Sequence, residues 1–189
     1  AHLGKFSVLN ISAPFTPEKY SDAIQVCIEA GMEVIIIDSI SHEWEGQGGI
    51  LDIHSSMAGN SFTNWGKLTP RHNAFVQAIL QSNAHMIGTI RSKQDYVLNE
   101  KNGKQVPEKV GLKGVTREGI DYEMTIMFDV DIRHNAIASK DRTGLFMDKP
   151  EFKLTPATGK TIFQWCQQGH ALESADDFTE RIKACENVT

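Results

Sequence analysis

The sequence predicts an α/β fold with a mostly parallel sheet flanked by helices, and three observations lead there. Residues 6–11 read as a strand, residues 17–30 as an amphipathic helix, and residues 32–37 as an apolar, β-branched run closed by Asp38. Strand, helix and buried strand in that order make a βαβ unit, and such units build parallel sheets. The 189 residues, 40% hydrophobic and 23% charged, match one ordinary globular domain spanning 1–189. A domain of this size buries roughly 70% of its unfolded surface and needs no staple.

Each element has its own signal. Thr16 stands at an N-cap and Pro17 at the first helical position, where a missing N–H costs nothing. Tyr20, Ala23, Ile24, Cys27 and Ile28 form one apolar stripe, and Gly31 stands where the helix end needs a positive φ. The unbroken run 32–37 is the pattern of a strand covered on both faces. Residues 39–63, with Gly46, Gly48, Gly49 and Gly59, read as loop with short helical turns. Thr69 and Pro70 repeat the cap-plus-proline signal and predict a helix opening there, through Phe75, Val76, Ile79 and Leu80. Residues 85–90 predict another short buried strand ending at Arg91. Beyond it, residues 91–117 carry seven basic and three acidic side chains, net +4, against −9 for the remainder, since the whole chain is −5. Asn102 and Gly103 inside this stretch are a hairpin turn signal. Residues 120–132 and 135–140 read as two strands around a turn at Arg133 and His134, and helices are predicted near 160–168 and 175–185.

Composition narrows the class. Cys27, Cys166 and Cys185 are odd in number and lack CxxC spacing, which points away from a disulfide framework or a zinc site and fits a reducing cytoplasm. No apolar run approaches the roughly 18 to 20 residues that span a bilayer, and the amino end lacks the order of a signal peptide. No membrane partner is expected. The charge of −5 disfavours a uniformly basic nucleic-acid coat and leaves room for a local basic site.

Among residues that could carry chemistry, Asp38 leads. A carboxylate at the carboxyl end of a buried parallel strand points into the crevice where open α/β sheets bind ligands. On the pattern alone, an acid in this position more often simply caps the following turn. A phosphate loop, GxxxxGK followed by Ser or Thr, is absent: residues 155–161 imitate it, but the first glycine position is Leu154, and the stretch reads as a helix start. His54, His72, His85, His134 and His170 lack the spacing of a metal pair and read as core or surface residues.

The order of motifs supplies a resemblance. Asp-Ser-Ile-Ser-His-Glu-Trp-Glu-Gly at 38–46, Thr-Pro-Arg-His-Asn at 69–73, Arg-Ser-Lys-Gln-Asp-Tyr at 91–96 and Ser-Lys-Asp-Arg-Thr-Gly at 139–144 recur in this order in one family. Over about residues 6–169 the chain resembles the phage and prophage P-loop nucleotide-binding proteins of the RecA-like, AAA-type ATPase superfamily. The resemblance implies a RecA-like P-loop NTPase core with a β-hairpin-like basic loop, binding ATP and Mg²⁺ as a homo-oligomer, in phage DNA recombination or replication in the host cytoplasm. Asp38 then resembles the Walker B carboxylate that holds Mg²⁺ through water, with Ser39 beside it at the nucleotide. Arg91 takes the place of a polar γ-phosphate sensor. Lys140 and Arg142 resemble the paired basic residues inserted into a neighbouring subunit's nucleotide, where fixed cations stabilise the transferring phosphoryl group; read from the residues alone they are strand-end charges. Glu43 is either a water-orienting acid or a loop acid capping its turn, and Trp44 a packing residue.

The basic stretch occupies the place of a RecA-like DNA-binding loop. Lys93, Lys101, Lys104, Lys109, Lys113 and Arg117 are candidate phosphate contacts and Tyr96 a candidate base-stacking residue, for single-stranded or duplex DNA. A solvated hairpin is the plain alternative on charge alone. A different class, a non-catalytic nucleic-acid-binding or assembly module on the same fold, is the second reading. The resemblance also implies a domain that opens after its Walker A segment, lacking at least about 30 residues by the size of a βαβ unit. Such a domain is expected to leave a sheet edge and an apolar groove uncovered and to hydrolyse little ATP by itself.

Overall fold

The computed structural model of the chain describes residues 4–101, 104–169, 179 and 181–183. The fold is mixed α/β with small sheets, one parallel and two antiparallel. The chain divides into two compact units, Ala1–Met124 and Thr125–Thr189.

In the first unit, helix α1 (Pro17–Glu29) opens on Thr16, whose side chain accepts from Lys19 N at 3.3 Å, and ends before Gly31 at φ 75°. Strand β1 (Val34–Ile37) follows, then the short helices α2 (Ser41–Glu45) and α3 (Ile50–Ser56), the long α4 (Ser61–Leu80) and strand β2 (His85–Gly88). β1 and β2 pair in parallel, Val34 opposite His85 and Ile37 opposite Gly88. The parallel crossover is therefore β1 to β2 through three helices. It sits one strand later than the sequence placed it, because residues 6–11 form no strand. They run beside no described strand that pairs with them, and Phe6, Val8 and Leu9 are 74%, 70% and 52% exposed.

Helix α4 corrects a second expectation. It opens eight residues before Thr69, on Asn60, whose side-chain Oδ1 accepts from Phe62 N at 2.8 Å and Thr63 N at 3.3 Å. Pro70 lies inside it. An interior proline costs about 3 kcal/mol, but the buried stripe Asn64, Leu68, His72, Phe75, Val76 and Ile79 continues across it. At roughly 1.5–3 kcal/mol for each fully buried large apolar side chain, packing outweighs the break.

The core collects Tyr20 and Ile24 of α1, Ile35 of β1, Ile40, Phe75, Val76 and Ile79 of α4, and Ile120. Tyr20 and Phe75 meet edge to face at 5.4 Å. Gly88 has no side chain because the Ile40 side chain fills the space a Cβ would occupy. All of this lies on one face of the sheet. The other face is bare: Val34, Ile36 and Ile87 are 52%, 65% and 51% exposed, so β1 is covered on one side and not on both.

Outside the core, Arg71 of α4 clamps Glu18 of α1 with two bonds, Nε at 2.6 Å and Nη2 at 2.8 Å. The Arg71 guanidinium holds the Glu18 carboxyl down at about 2. A depressed carboxyl stabilises the fold above its unfolded pKa, and the contribution disappears as pH falls from about 4.5 towards about 2. Both side chains are partly solvated, so Arg71→Ala is expected to cost about 0.5–1 kcal/mol at pH 7 and almost nothing at pH 2. Urea titrations at the two pH values measure the difference; an equal loss at both would refute it.

Strands β3 (Ser92–Lys101) and β4 (Lys104–Gly114) make a long antiparallel hairpin. Its turn at 102–103 lies outside the described residues. Helix α5 (Ile120–Glu123) follows where the sequence reading put the start of a strand. Gly119 at φ 100° turns the chain there and delivers Ile120 into the core, 5% exposed.

The second unit is a three-stranded antiparallel sheet, β5 (Ile126–Val130), β6 (Asn135–Asp141) and β7 (Phe152–Lys153), with helix α6 (Pro156–Cys166). Asp131 Oδ1 accepts from Arg133 N and Asn135 N in the predicted turn, and His134 takes φ 64°. Phe128, Phe146 and Phe152 pack ring to ring at 5.1–5.7 Å. The phosphate-loop imitation at 155–161 is a helix start, with Thr155 and Thr158 in a capping box and Pro156 at the first position. The helix predicted at 175–185 lies for the most part outside the described residues. No helix among the described residues is long and apolar enough to cross a membrane.

Candidate functional site

The carboxyl ends of β1 and β2 bring the first group of predicted residues together. The parallel ladder continues one step past β2, with Thr89 N donating to Ile37 O at 3.0 Å and Ile40 N to Thr89 O at 2.9 Å. This register sets Thr89 beside Asp38, and Thr89 Oγ1 donates to Asp38 Oδ1 at 2.6 Å. Asp38 is exposed, and its Oδ2 makes no hydrogen bond to a described residue. The Asp38–Ser39 peptide bond is cis. Ser39 is buried, with its carbonyl accepting from Tyr20 Oη at 3.3 Å and its hydroxyl 3.0 Å from His42 Nδ1.

Arg91 stands next in line. Its backbone N–H donates to the buried Ser41 Oγ at 2.9 Å, and its Nη2 to Glu45 Oε1 at 2.8 Å. Helix α2 thus holds Arg91 from both ends. The glycines after α2 permit this closeness: a Cβ on Gly49 would stand 2.6 Å from Glu43 O, and one on Gly46 2.5 Å from His42 O.

Glu43 points the other way. It is fully buried, with both carboxylate oxygens at 3.0–3.1 Å from His72 Nδ1. Trp44 packs against Trp65 at 5.9 Å and edge-on to His72 at 5.5 Å, the packing part expected of it. Tyr20 feels this pair as well: burial, and then the charge of Glu43, push its hydroxyl up to about 12. His72 is a core histidine with a carboxylate partner.

Lys140 and Arg142 belong to the second unit, Lys140 half-buried in β6 and Arg142 exposed just after it. Asp141 between them organises the loop. Partial burial would raise its carboxyl, but bonds from Thr143 Oγ1 and from the backbone N–H groups of Thr143, Phe146 and Met147 outweigh that and hold it at about 2. Lys93, Tyr96, Lys101, Lys104, Lys109 and Lys113 lie in the hairpin strands and Arg117 just beyond them. The register sets Lys93 opposite Lys113 and Lys101 opposite Lys104.

Mg²⁺ keeps several waters and needs only one or two carboxylates beside substrate phosphates. One exposed carboxylate with a free oxygen, flanked by a threonine hydroxyl, fits that requirement. A fully coordinated protein cage is not formed, since no group of three His, Cys, Asp or Glu among the described residues is arranged to hold a metal. The sequence reading does not single out Thr89, Ser41 or Glu45, and it takes His72 only as a core or surface residue. Thr89 had a signal, the polar residue closing the second parallel strand; the others depend on contacts across the fold. Comparison with models of protein families, with curated proteins and with solved structures finds no match to this chain.

Proposed function

We propose that this chain is the core of a RecA-like ATPase that takes ATP and Mg²⁺ at the carboxyl ends of β1 and β2 and acts on DNA in phage recombination or replication. The observation that carries the reading is the Asp38–Thr89 pair at the ends of two parallel strands, with Arg91 anchored beside it. Open α/β sheets bind ligands at that end. In this proposal Asp38 orients the water shell of the metal, Thr89 fixes the carboxylate rotamer, and Arg91 waits for negative charge near the γ-phosphate. Ser39 holds the turn through Tyr20 and His42. Lys140 and Arg142 serve a neighbouring subunit's nucleotide in a homo-oligomer, in the cytoplasm of the host cell. Glu43 is assigned to His72 and carries no step. The test is magnesium-dependent ATP turnover by the protein of the complete reading frame, with and without Asp38→Asn.

The second reading, a nucleic-acid-binding module without catalysis, is favoured by the hairpin. Like charges directly opposite on paired strands destabilise a sheet, and the register puts two lysine pairs in that relation. A polyphosphate backbone laid along the hairpin would offset that repulsion. Single-stranded DNA affinity is expected to fall linearly in log–log form with salt, with a slope of about −0.7 for each phosphate neutralised. Fluorescence anisotropy over a salt series measures it, and absence of binding at low salt would remove the DNA contact from both readings.

A further inference from the structure

The first unit holds two buried side-chain atoms without a hydrogen-bond partner among the described residues, Thr116 Oγ1 and Arg117 Nη1. They are adjacent in sequence, just past β4. A buried polar group left unpaired carries its full desolvation cost, and more so when charged. Arg117 also lines a cleft of about 290 Å³, whose walls include Thr69, His72 and Asn73 of α4 and Glu123 of α5.

His72 makes this cleft more than a gap in the packing. An ionised carboxylate only accepts, so with Glu43 on Nδ1 the imidazole proton sits there and Nε2 is the ring nitrogen left for a ligand. Glu118 on the rim is already committed to Lys113 Nζ at 2.5 Å. Glu123 remains as an acceptor. The lining thus offers one guanidinium, one imidazole, a neutral amide and a hydroxyl for an oxyanion, together with one carboxylate suited to a hydroxyl or amino group on the same molecule.

We propose that this cleft binds a phosphate ester, with Arg117 as its charged donor, Asn73 and Thr69 as neutral donors, the His72 ring against it, and Glu123 meeting a donor on the esterified part. The ester belongs either to a free nucleotide or to a nucleic-acid backbone; both present the same group. The site is separate from the strand ends at Asp38 and does not depend on the ATPase reading.

The ring nitrogens of His72, followed by NMR in the full chain, provide the test. Thymidine 5′-monophosphate is expected to shift the His72 signals saturably, and thymidine, which lacks the phosphate, to leave them unmoved. Arg117→Gln should weaken the response at least about tenfold, the loss expected for one charge-assisted contact, and Asn73→Ala should weaken it less; backbone spectra of both variants report whether the fold is kept. Asp38→Asn should leave the response in place. A pentathymidylate acting at lower concentration than the mononucleotide assigns the phosphate to a nucleic-acid backbone, and the reverse order assigns it to a free nucleotide. The proposal is overturned if neither compound moves His72, if thymidine moves it equally, if Arg117→Gln changes nothing, or if Asp38→Asn abolishes the response.

Discussion

Glu43→Ala is expected to lower the unfolding free energy by about 3–5 kcal/mol, the cost of leaving a buried donor without its acceptor and of emptying the space the side chain fills. Domains of this kind have only about 5–15 kcal/mol in total. The reason lies in what stays behind. His72 is 3% exposed and wedged between Trp44 and Phe75, so its Nδ1–H would face a cavity without an acceptor. Glu43→Gln keeps the volume and one acceptor oxygen and should lose less, about 1–3 kcal/mol. The double variant Glu43→Ala with His72→Ala should cost less than the sum of the singles, with a coupling of about 0.5–3 kcal/mol. Urea unfolding of the four proteins measures all three quantities. A single-variant loss below about 1 kcal/mol would show that the pair is solvated and that the geometry described above is wrong.

Asp38→Asn should separate function from stability. Asp38 is exposed, and asparagine keeps an oxygen to accept from Thr89 Oγ1, so unfolding should change by no more than about 0.5 kcal/mol. Magnesium-dependent ATP hydrolysis should fall by about 10–100-fold, the range seen when a group ordering a metal's surroundings is lost. Thr89→Val, which frees the carboxylate without removing it, should give a smaller drop of the same kind. Turnover unchanged in Asp38→Asn would end the ATPase assignment, whatever the DNA experiments show.

What the sequence made legible was local. The Thr16–Pro17 cap, the strand read at 32–37 with Asp38 at its end, and the strand opening at His85 are each written in neighbouring residues; the cap and the second strand stand where their signals placed them, and the first strand is shorter, Val34–Ile37. Errors arose where the deciding partner is distant. Thr69 and Pro70 look like a helix start because a proline dominates its own neighbourhood; the buried stripe that carries α4 through it is set by α1 and β1. Residues 6–11 have strand composition, but a strand forms only when another pairs with it. At the site, Asp38 could be named from its run of apolar neighbours, while the Glu43–His72 bond spans 29 residues and follows only from the way α2 meets α4. The same holds for Arg91 and Ser41, 50 residues apart.

The bare face of the β1–β2 sheet has a thermodynamic consequence. Heat capacity rises on unfolding because apolar surface becomes hydrated, by about 0.45 cal/K/mol for each Å². Val34, Ile36 and Ile87 are already half or more hydrated in the native state, so their part of that rise has been taken before unfolding begins. The stability of the first unit therefore varies less steeply with temperature than that of a unit whose sheet is covered on both sides, and its resistance to cold is correspondingly greater than its resistance to heat would indicate.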